Sequence, residues 1–182
     1  MPKADVRVRH EAVVDAPAEL VFATACDTRL GSLPLVRGLF RLREILLGAK
    51  AAAPISPQGI VDEMLALGWV RLGERPGREL VMGAVTKPWE PDVVFRSVEP
   101  ARFRDFSEPG FVKIAWTLET DPVDSTHSLL RTQTRAMGTD RGARSNFRRY
   151  WRAFKVGIIL IRWSILLAVR REAQRRFRLR VG

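Results

Sequence analysis

The last 42 residues of the chain contain its longest apolar run and nearly all of its net charge. Residues 141–182 carry thirteen arginine or lysine residues against a single acid, Glu172, whereas residues 1–140 carry 18 basic and 19 acidic residues. Between the flanking arginines, the run from Val156 to Val169 is interrupted by one charge, Arg162. This pattern predicts a long C-terminal helix whose apolar middle must be covered by the rest of the fold.

The apolar run is too short to predict a membrane span. It covers 14 residues and includes Arg162, whereas a span needs about 20 apolar residues. A buried helix is therefore predicted. The arginines flank this helix and do not line a groove with interleaved aromatic residues, so the charge does not predict specific nucleic-acid binding.

The length and the single cysteine indicate one domain in a reducing compartment. A chain of 182 residues is long enough for one domain, over residues 1–182, with a substantial core. Cys26 has no second cysteine with which to form an internal disulfide. The first residues have no apolar stretch behind their charge, so no signal peptide is expected. We expect a cytoplasmic protein, with a peripheral position at the membrane as the alternative.

The first third of the chain predicts a strand and two helices. Polar and apolar residues alternate over residues 6–14, which predicts a half-buried strand. Asp15 is placed to cap the following helix, and Pro17 fits its first turn. A second amphipathic helix is predicted from Leu35 to Leu47, and a loop from Ala49 to Pro57.

The middle of the chain predicts antiparallel strands. Arg75-Pro76-Gly77 has the composition of a turn between two strand-forming segments. Residues 93–106 are compatible with strands or with a short helix. The predicted strands are Trp69–Glu74, Arg78–Thr86, Phe111–Glu119 and Leu129–Met137.

The order of elements predicts an α+β fold. Asp140 is placed to cap the final helical region, which Gly157 is expected to break into two pieces. One strand, two helices, a meander of antiparallel strands and a terminal helix then follow one another. We predict a curved antiparallel sheet that grips the C-terminal helix.

Several segments carry a resemblance to a known family. Residues 14–22 read VDAPAELVF, a strand running into a short helix. The second half contributes Pro109–Trp116, Thr132–Arg135, Ile161-Arg162, and Asp140 with the aromatic residues Phe147, Tyr150 and Trp151. With these residues the chain resembles the START-related SRPBCC superfamily, often described as polyketide cyclase or dehydrase-like, which has the helix-grip fold. The glutamate of the family's Thr-Glu-Thr-Arg strand is Gln133 here, so no acid is implied at that position.

The resemblance implies an apolar cavity between the curved sheet and the terminal helix. Members of the superfamily bind lipids, polyketides, sterols or other hydrophobic small molecules, and a minority catalyse cyclisation or dehydration. The first hypothesis is therefore binding of a hydrophobic small molecule in this cavity. The alternatives are an aromatase/cyclase-type enzyme, and a peripheral membrane or protein-interaction module that uses the C-terminal helix.

Three candidate ligand-binding residues lie on predicted strands. Thr132 and Thr134 share one sheet face, where their hydroxyl groups could orient a ligand. Threonines are also common in strands without any such role. Trp116 could form a cavity wall, although packing in the core is the stronger expectation. We predict that these residues border a cavity of about 300–1,000 Å³ together with Ile114 and Leu130.

Three further candidates are Tyr150, Arg162 and His10. The Tyr150 hydroxyl could reach a ligand or a backbone carbonyl. Arg162 stands among apolar residues, so an ion pair with a carboxylate is expected, and a ligand carboxylate or phosphate is the alternative. His10 lies on the apolar face of the first strand, where a core histidine with one hydrogen bond is the first expectation and a ligand contact or base the second.

The sequence contains no motif for a cofactor, a metal or a catalytic nucleophile. It has two histidines, one cysteine, no glycine-rich phosphate loop and no Gly-x-Ser-x-Gly. No cofactor is therefore expected.

The C-terminal helix is apolar on more sides than one sheet can cover. Ile159, Trp163 and Leu167 lie away from the side formed by Ile158 and Ile161. They could be covered by the predicted helix at residues 35–47, by a second copy in a homodimer, or by an anionic membrane surface.

Overall fold

The structure is a computed structural model, and it describes residues 4–29, 38 and 59–181. The described residues form six strands and four helices. The strands are β1 (Val6–Val14), β2 (Val70–Arg75), β3 (Glu79–Thr86), β4 (Phe95–Arg96), β5 (Val112–Pro122) and β6 (Ser128–Gly138). The helices are α1 (Ala18–Asp27), α2 (Ile60–Ala66), α3 (Pro100–Phe103) and α4 (Arg141–Val181).

The six strands form one curled, unclosed antiparallel sheet. Its strand order is β1-β6-β5-β3-β2, and β4 pairs with β3. Residues that lie directly opposite each other on neighbouring strands project from the same face of a sheet. One row across the sheet contains Val8, Thr134, Trp116 and Met82. The neighbouring row contains His10, Thr132, Leu118 and Leu80.

Helix α4 packs across the sheet and closes the core. Its buried residues Leu166, Val169 and Ala173 belong to the same apolar cluster as Leu80 and Met82 of the sheet. Helices α1 and α2 contribute to this cluster as well. A curved antiparallel sheet around a long C-terminal helix is the predicted helix-grip arrangement, and the fold prediction is confirmed. Among the described residues, no helix has both the length and the apolar composition that crossing a membrane requires.

The structure corrects two predictions about helices. Gly157 does not break the terminal helix, because α4 is continuous over 41 residues. An internal glycine costs a helix only about 1 kcal/mol relative to alanine, which packing of the flanking residues outweighs. Asp15 does not cap α1: Pro17 is the N-cap residue, and the Asp15 carboxylate accepts a hydrogen bond from Gln174 Nε2 at 2.6 Å. Asp140 does cap α4, since its Oδ1 accepts the Ala143 N–H at 2.9 Å.

The predicted strands and turn are confirmed, with longer β5 and β6 than expected. Gly77 of the turn between β2 and β3 has a φ of +69°, a conformation that favours glycine. Residues 93–106 contain both a strand, β4, and a short helix, α3. The predicted helix at residues 35–47 and the predicted loop at residues 49–57 lie outside the described residues.

Candidate functional site

A cavity of about 450 Å³ lies between the concave face of the sheet and α4. The sheet contributes Ile114, Trp116, Thr134 and Ala136 to its wall. Helix α4 contributes Phe147, Tyr150, Trp151, Phe154, Ile158, Ile161 and Arg162. Further apolar side chains come from α2, from β4 and from Trp69, which directly precedes β2. Among the residues that line this cavity, the polar or charged ones are Thr86, Thr134, Tyr150 and Arg162.

Arg162 connects the helix to the sheet at one end of this cavity. Its Nε donates a hydrogen bond to His10 Nδ1 at 3.3 Å, and its Nη2 donates to Thr132 Oγ1 at 3.1 Å. Its Nη1 donates to Thr134 Oγ1. His10 and Thr132 are directly opposite each other on β1 and β6, and Thr134 lies two residues along the same face. The register of β1 and β6 therefore places three hydrogen-bond acceptors at the point where α4 crosses the sheet.

The structure contradicts the expected ion pair of Arg162. In the described part of the chain, its hydrogen-bond partners are two hydroxyl groups and an imidazole, and it forms no ion pair. Burial lowers the pKa of the Arg162 guanidinium to about 10. The group therefore remains protonated at neutral pH and places a positive charge in a mainly apolar wall.

His10 is placed behind Arg162 and does not line the cavity. Because Nδ1 accepts the hydrogen bond from Arg162, the proton of the neutral imidazole resides on Nε2. Burial, followed by the charge of Arg162, lowers the pKa of His10, so the ring is neutral at neutral pH. The ring also contacts Trp163 edge to face, with the centroids 5.3 Å apart. His10 is therefore connected to the cavity lining by its hydrogen bond with Arg162.

A second, smaller cavity of about 50 Å³ lies on the other side of Arg162. Leu130 and Thr132, which were expected to border the main cavity, line this smaller one. Ile60, Trp116 and Arg162 line both cavities, so these three residues form the partition between them. Trp116 packs against the core, as expected, and is a cavity wall at the same time.

Tyr150 lies at the far end of the main cavity from the partition along α4. Its ring lies 4.9 Å from that of Phe154 and 6.4 Å from that of Phe147, measured between centroids. Tyr150 was a candidate ligand-binding residue in the sequence analysis, whereas the other residues of this helix face that line the cavity were not: Phe147, Trp151, Phe154, Ile158 and Ile161. Their spacing nevertheless indicates that they share one face of a helix, because positions 147, 151, 154, 158 and 161 follow one another at intervals of three or four residues.

Comparison with known proteins yields only distant structural similarity. No family model matches the chain, and no curated protein matches it. Solved structures similar to it include a conserved protein from Geobacillus kaustophilus, with 14% identity over 90% of this chain and 95% of that one, and a TM-score of 0.40.

Two further similar structures are aromatase/cyclases. The Zhui aromatase/cyclase from Streptomyces sp. R1128 has 16% identity over 94% of each chain and a TM-score of 0.33. The di-domain aromatase/cyclase BexL of the BE-7585A biosynthetic pathway has 18% identity over 91% of this chain and 45% of that one, with a TM-score of 0.31. At TM-scores below 0.5, these similarities carry no inference about what this chain binds.

Proposed function

We propose that this chain binds a hydrophobic small molecule between its sheet and its C-terminal helix. The observation that carries the proposal is the cavity of about 450 Å³, whose wall is apolar apart from four residues. Concave spaces lined mainly by apolar and aromatic side chains, with a few polar groups, are the usual form of small-molecule sites. Its volume lies within the range of about 300–1,000 Å³ that is typical of small-molecule sites.

The composition of the wall supports an apolar or aromatic ligand. Aromatic side chains come from the sheet, from α4 and from the residue before β2, and they include Phe95, Trp116, Trp151, Phe154 and Trp69. Aromatic and aliphatic side chains contribute most of the binding free energy of such sites, and a small number of polar groups orients the ligand. Arg162 and Thr134 are polar groups suited to that role.

A polyketide cyclase is the second candidate, and Arg162 is the observation that favours it. A cation at the cavity wall could stabilise the negative charge that develops on an enolate oxygen when a chain cyclises. Such a reaction also needs a base to remove the proton from carbon. The described lining contains no carboxylate or histidine, and His10 is separated from the main cavity by Arg162. Binding is therefore the function that the site supports best.

Native mass spectrometry of the purified protein tests the proposal. We expect an additional mass that corresponds to a hydrophobic molecule retained from the expression host, released by organic solvent. The variant Ile114→Trp fills the cavity and should abolish the additional mass. Thr117→Trp is the matched control, because Thr117 lies on the same strand and lines a cleft on the opposite face of the sheet. Retention of the additional mass by Ile114→Trp would contradict the proposal.

A further inference from the structure

We infer that the ligand carries an anionic oxygen head group, a carboxylate or a phosphate, that binds to Arg162 while its apolar part fills the main cavity. This inference rests on the proposed function. Arg162 lines both cavities and lies at the partition between them, next to the hydroxyl groups of Thr132 and Thr134. Arg162 is therefore the only charged residue of the described cavity lining, and it lies at one end of the main cavity.

The hydrogen-bonding capacity of Arg162 is not exhausted by the protein. A guanidinium group has five N–H donors. Three of them are used toward His10, Thr132 and Thr134, which leaves one N–H on each Nη nitrogen without a partner among the described residues. Two N–H groups on adjacent nitrogens match the two oxygens of a carboxylate or phosphate. The threonine hydroxyls accept from Arg162, so their own hydrogens can be donated to the same ligand.

The charge of Arg162 is also not neutralised. Its protein partners are neutral, since they are two hydroxyl groups and an imidazole whose acceptor nitrogen faces the guanidinium. Elsewhere on α4 the arginines that are held by other elements meet carboxylates: Arg144 and Arg148 approach Asp5, and Arg176 approaches Asp27. A half-buried cation without a carboxylate is stabilised when an anionic ligand supplies the missing charge.

Isothermal titration with three probes of equal chain length tests the head group. The probes are decanoate, decyl phosphate and 1-decanol, which differ in charge at one end. We expect at least one anionic probe to bind about tenfold or more tightly than 1-decanol, as charge-assisted hydrogen bonds to a buried guanidinium imply. Arg162→Met should remove this preference, and Arg162→Lys, which keeps the charge without the planar fork, should retain part of it.

Arg152→Met is the matched control, because Arg152 is exposed on the same helix and should leave the preference unchanged. Equal binding of the three probes to the wild-type protein, or an anion preference that persists in Arg162→Met, would overturn the inference. Binding of 1-decanol in either case would leave the proposed function intact. Absence of binding by all three probes would count against both.

A separate observation concerns the outer face of α4. Val156, Leu160, Trp163 and Leu167 follow one another at intervals of four, three and four residues, and are exposed by 63%, 45%, 44% and 44%. We call these four residues the exposed stripe. A spacing of this kind places side chains on one face of a helix. Exposed apolar side chains that form a contiguous surface mark an interaction site.

The charges around the exposed stripe point to an anionic lipid surface as its partner. Arg149, Arg152 and Lys155 precede it, Arg170 and Arg171 follow it, and all five side chains are exposed. Among the described residues, none of the five forms an ion pair, whereas the cations farther along α4, such as Arg175 and Arg176, pair with Glu172. An apolar stripe between unpaired cations is the pattern by which helices lie on membranes that contain anionic lipids.

The same charges disfavour a second copy of the chain. Antiparallel pairing of two copies about the centre of the exposed stripe would bring Arg152 opposite Arg171, and parallel pairing would bring each cation opposite itself. No acid occurs between Arg141 and Arg171 to relieve this repulsion. In an anionic bilayer, by contrast, the apolar residues of the exposed stripe contact the lipid chains and the flanking cations contact the anionic head groups.

Cosedimentation with vesicles tests this second inference. We expect binding to vesicles of phosphatidylcholine mixed with phosphatidylglycerol and little binding to phosphatidylcholine alone. The double substitution Leu160→Gln/Leu167→Gln should weaken binding about tenfold or more, because two half-exposed leucines no longer enter the bilayer. The control Val94→Gln/Val123→Gln changes two valines elsewhere that are more exposed than the two leucines, and it should bind like the wild-type protein.

Three results would overturn the inference. The protein could fail to bind the mixed vesicles, or Leu160→Gln/Leu167→Gln could bind them as tightly as the wild-type protein, in which case charge alone is responsible. Analytical ultracentrifugation could also show a dimer that this double substitution dissociates, which would assign the exposed stripe to a second copy.

Discussion

Replacement of Thr132 by valine tests the hydrogen bonds that hold Arg162 in the cavity wall. Valine has nearly the same shape as threonine, so the substitution removes the acceptor of the 3.1 Å bond from Arg162 Nη2 without opening a cavity. Thr132 is only 7% exposed, so bulk water does not replace the lost partner. We expect Thr132→Val to lower the free energy of unfolding.

The expected magnitude follows from the charge of the donor. A hydrogen bond to a charged group contributes about 1.5–3 kcal/mol, and the added methyl group offsets roughly 0.8 kcal/mol of its loss. The net loss is therefore about 1–2 kcal/mol. With a denaturant slope of about 2 kcal/mol per molar urea, the unfolding midpoint falls by about 0.5–1 M. A urea titration that is followed by circular dichroism measures this shift of the unfolding midpoint.

A double-mutant cycle isolates the Arg162–Thr132 interaction. In the Arg162→Met background, Thr132→Val should cost far less, because the charged donor is gone. The control is Thr120→Val, which removes a buried hydroxyl whose bond to the neutral Arg78 carbonyl is long, at 3.4 Å. The reasoning is refuted if Thr132→Val lowers the midpoint equally in both backgrounds, or no more than Thr120→Val does.

Three further predictions concern other parts of the fold. Asp140→Ala should lower the urea midpoint at neutral pH, since backbone N–H groups of Ala143 and Gly110 bind this carboxylate and lower its pKa. That stabilisation is present above the pKa of the unfolded state and is lost as the pH falls through the pKa of the folded state. The difference in midpoint between Asp140→Ala and the wild-type protein should therefore shrink in acid. Burial, then the charge of Asp27, raises the pKa of the Cys26 thiol to about 11, so iodoacetamide should react slowly with the native protein and fast in urea. Gly77→Ala should cost about 1 kcal/mol at its positive φ, and Gly77→Asn less, as urea titration would show.

The sequence predicted most of the sheet because the strands alternate or are bounded by turn residues. β1 has a clear two-residue period, and the turn at Gly77 separates β2 from β3. Helix α2 was not predicted, because its seven residues are too few to show a helical period. Gly157 does not break α4, because the packing that holds this helix comes from residues distant in sequence.

The sequence predicted the residues of the candidate site better than it predicted the contacts between them. His10, Thr132, Thr134 and Arg162 were singled out separately, and the structure brings them into one hydrogen-bonded group. The partner of Arg162 was predicted wrongly as a carboxylate, because His10 is 152 residues away and only the register of β1 and β6 places it there. The division of the space into two cavities depends on how the side chains pack. The periodicity of the sequence contains no information about this packing.

Intermolecular nuclear Overhauser effects between 1-decanol and methyl groups of the protein test the central claim most directly. The account predicts effects from the decanol chain to Ile114 and Ile158, which line the main cavity. It predicts none to Val81, which lines the cleft on the other face of the sheet. Effects to Val81 or to the exposed Leu160 and Leu167, without any to Ile114 and Ile158, would contradict a ligand site between the sheet and α4.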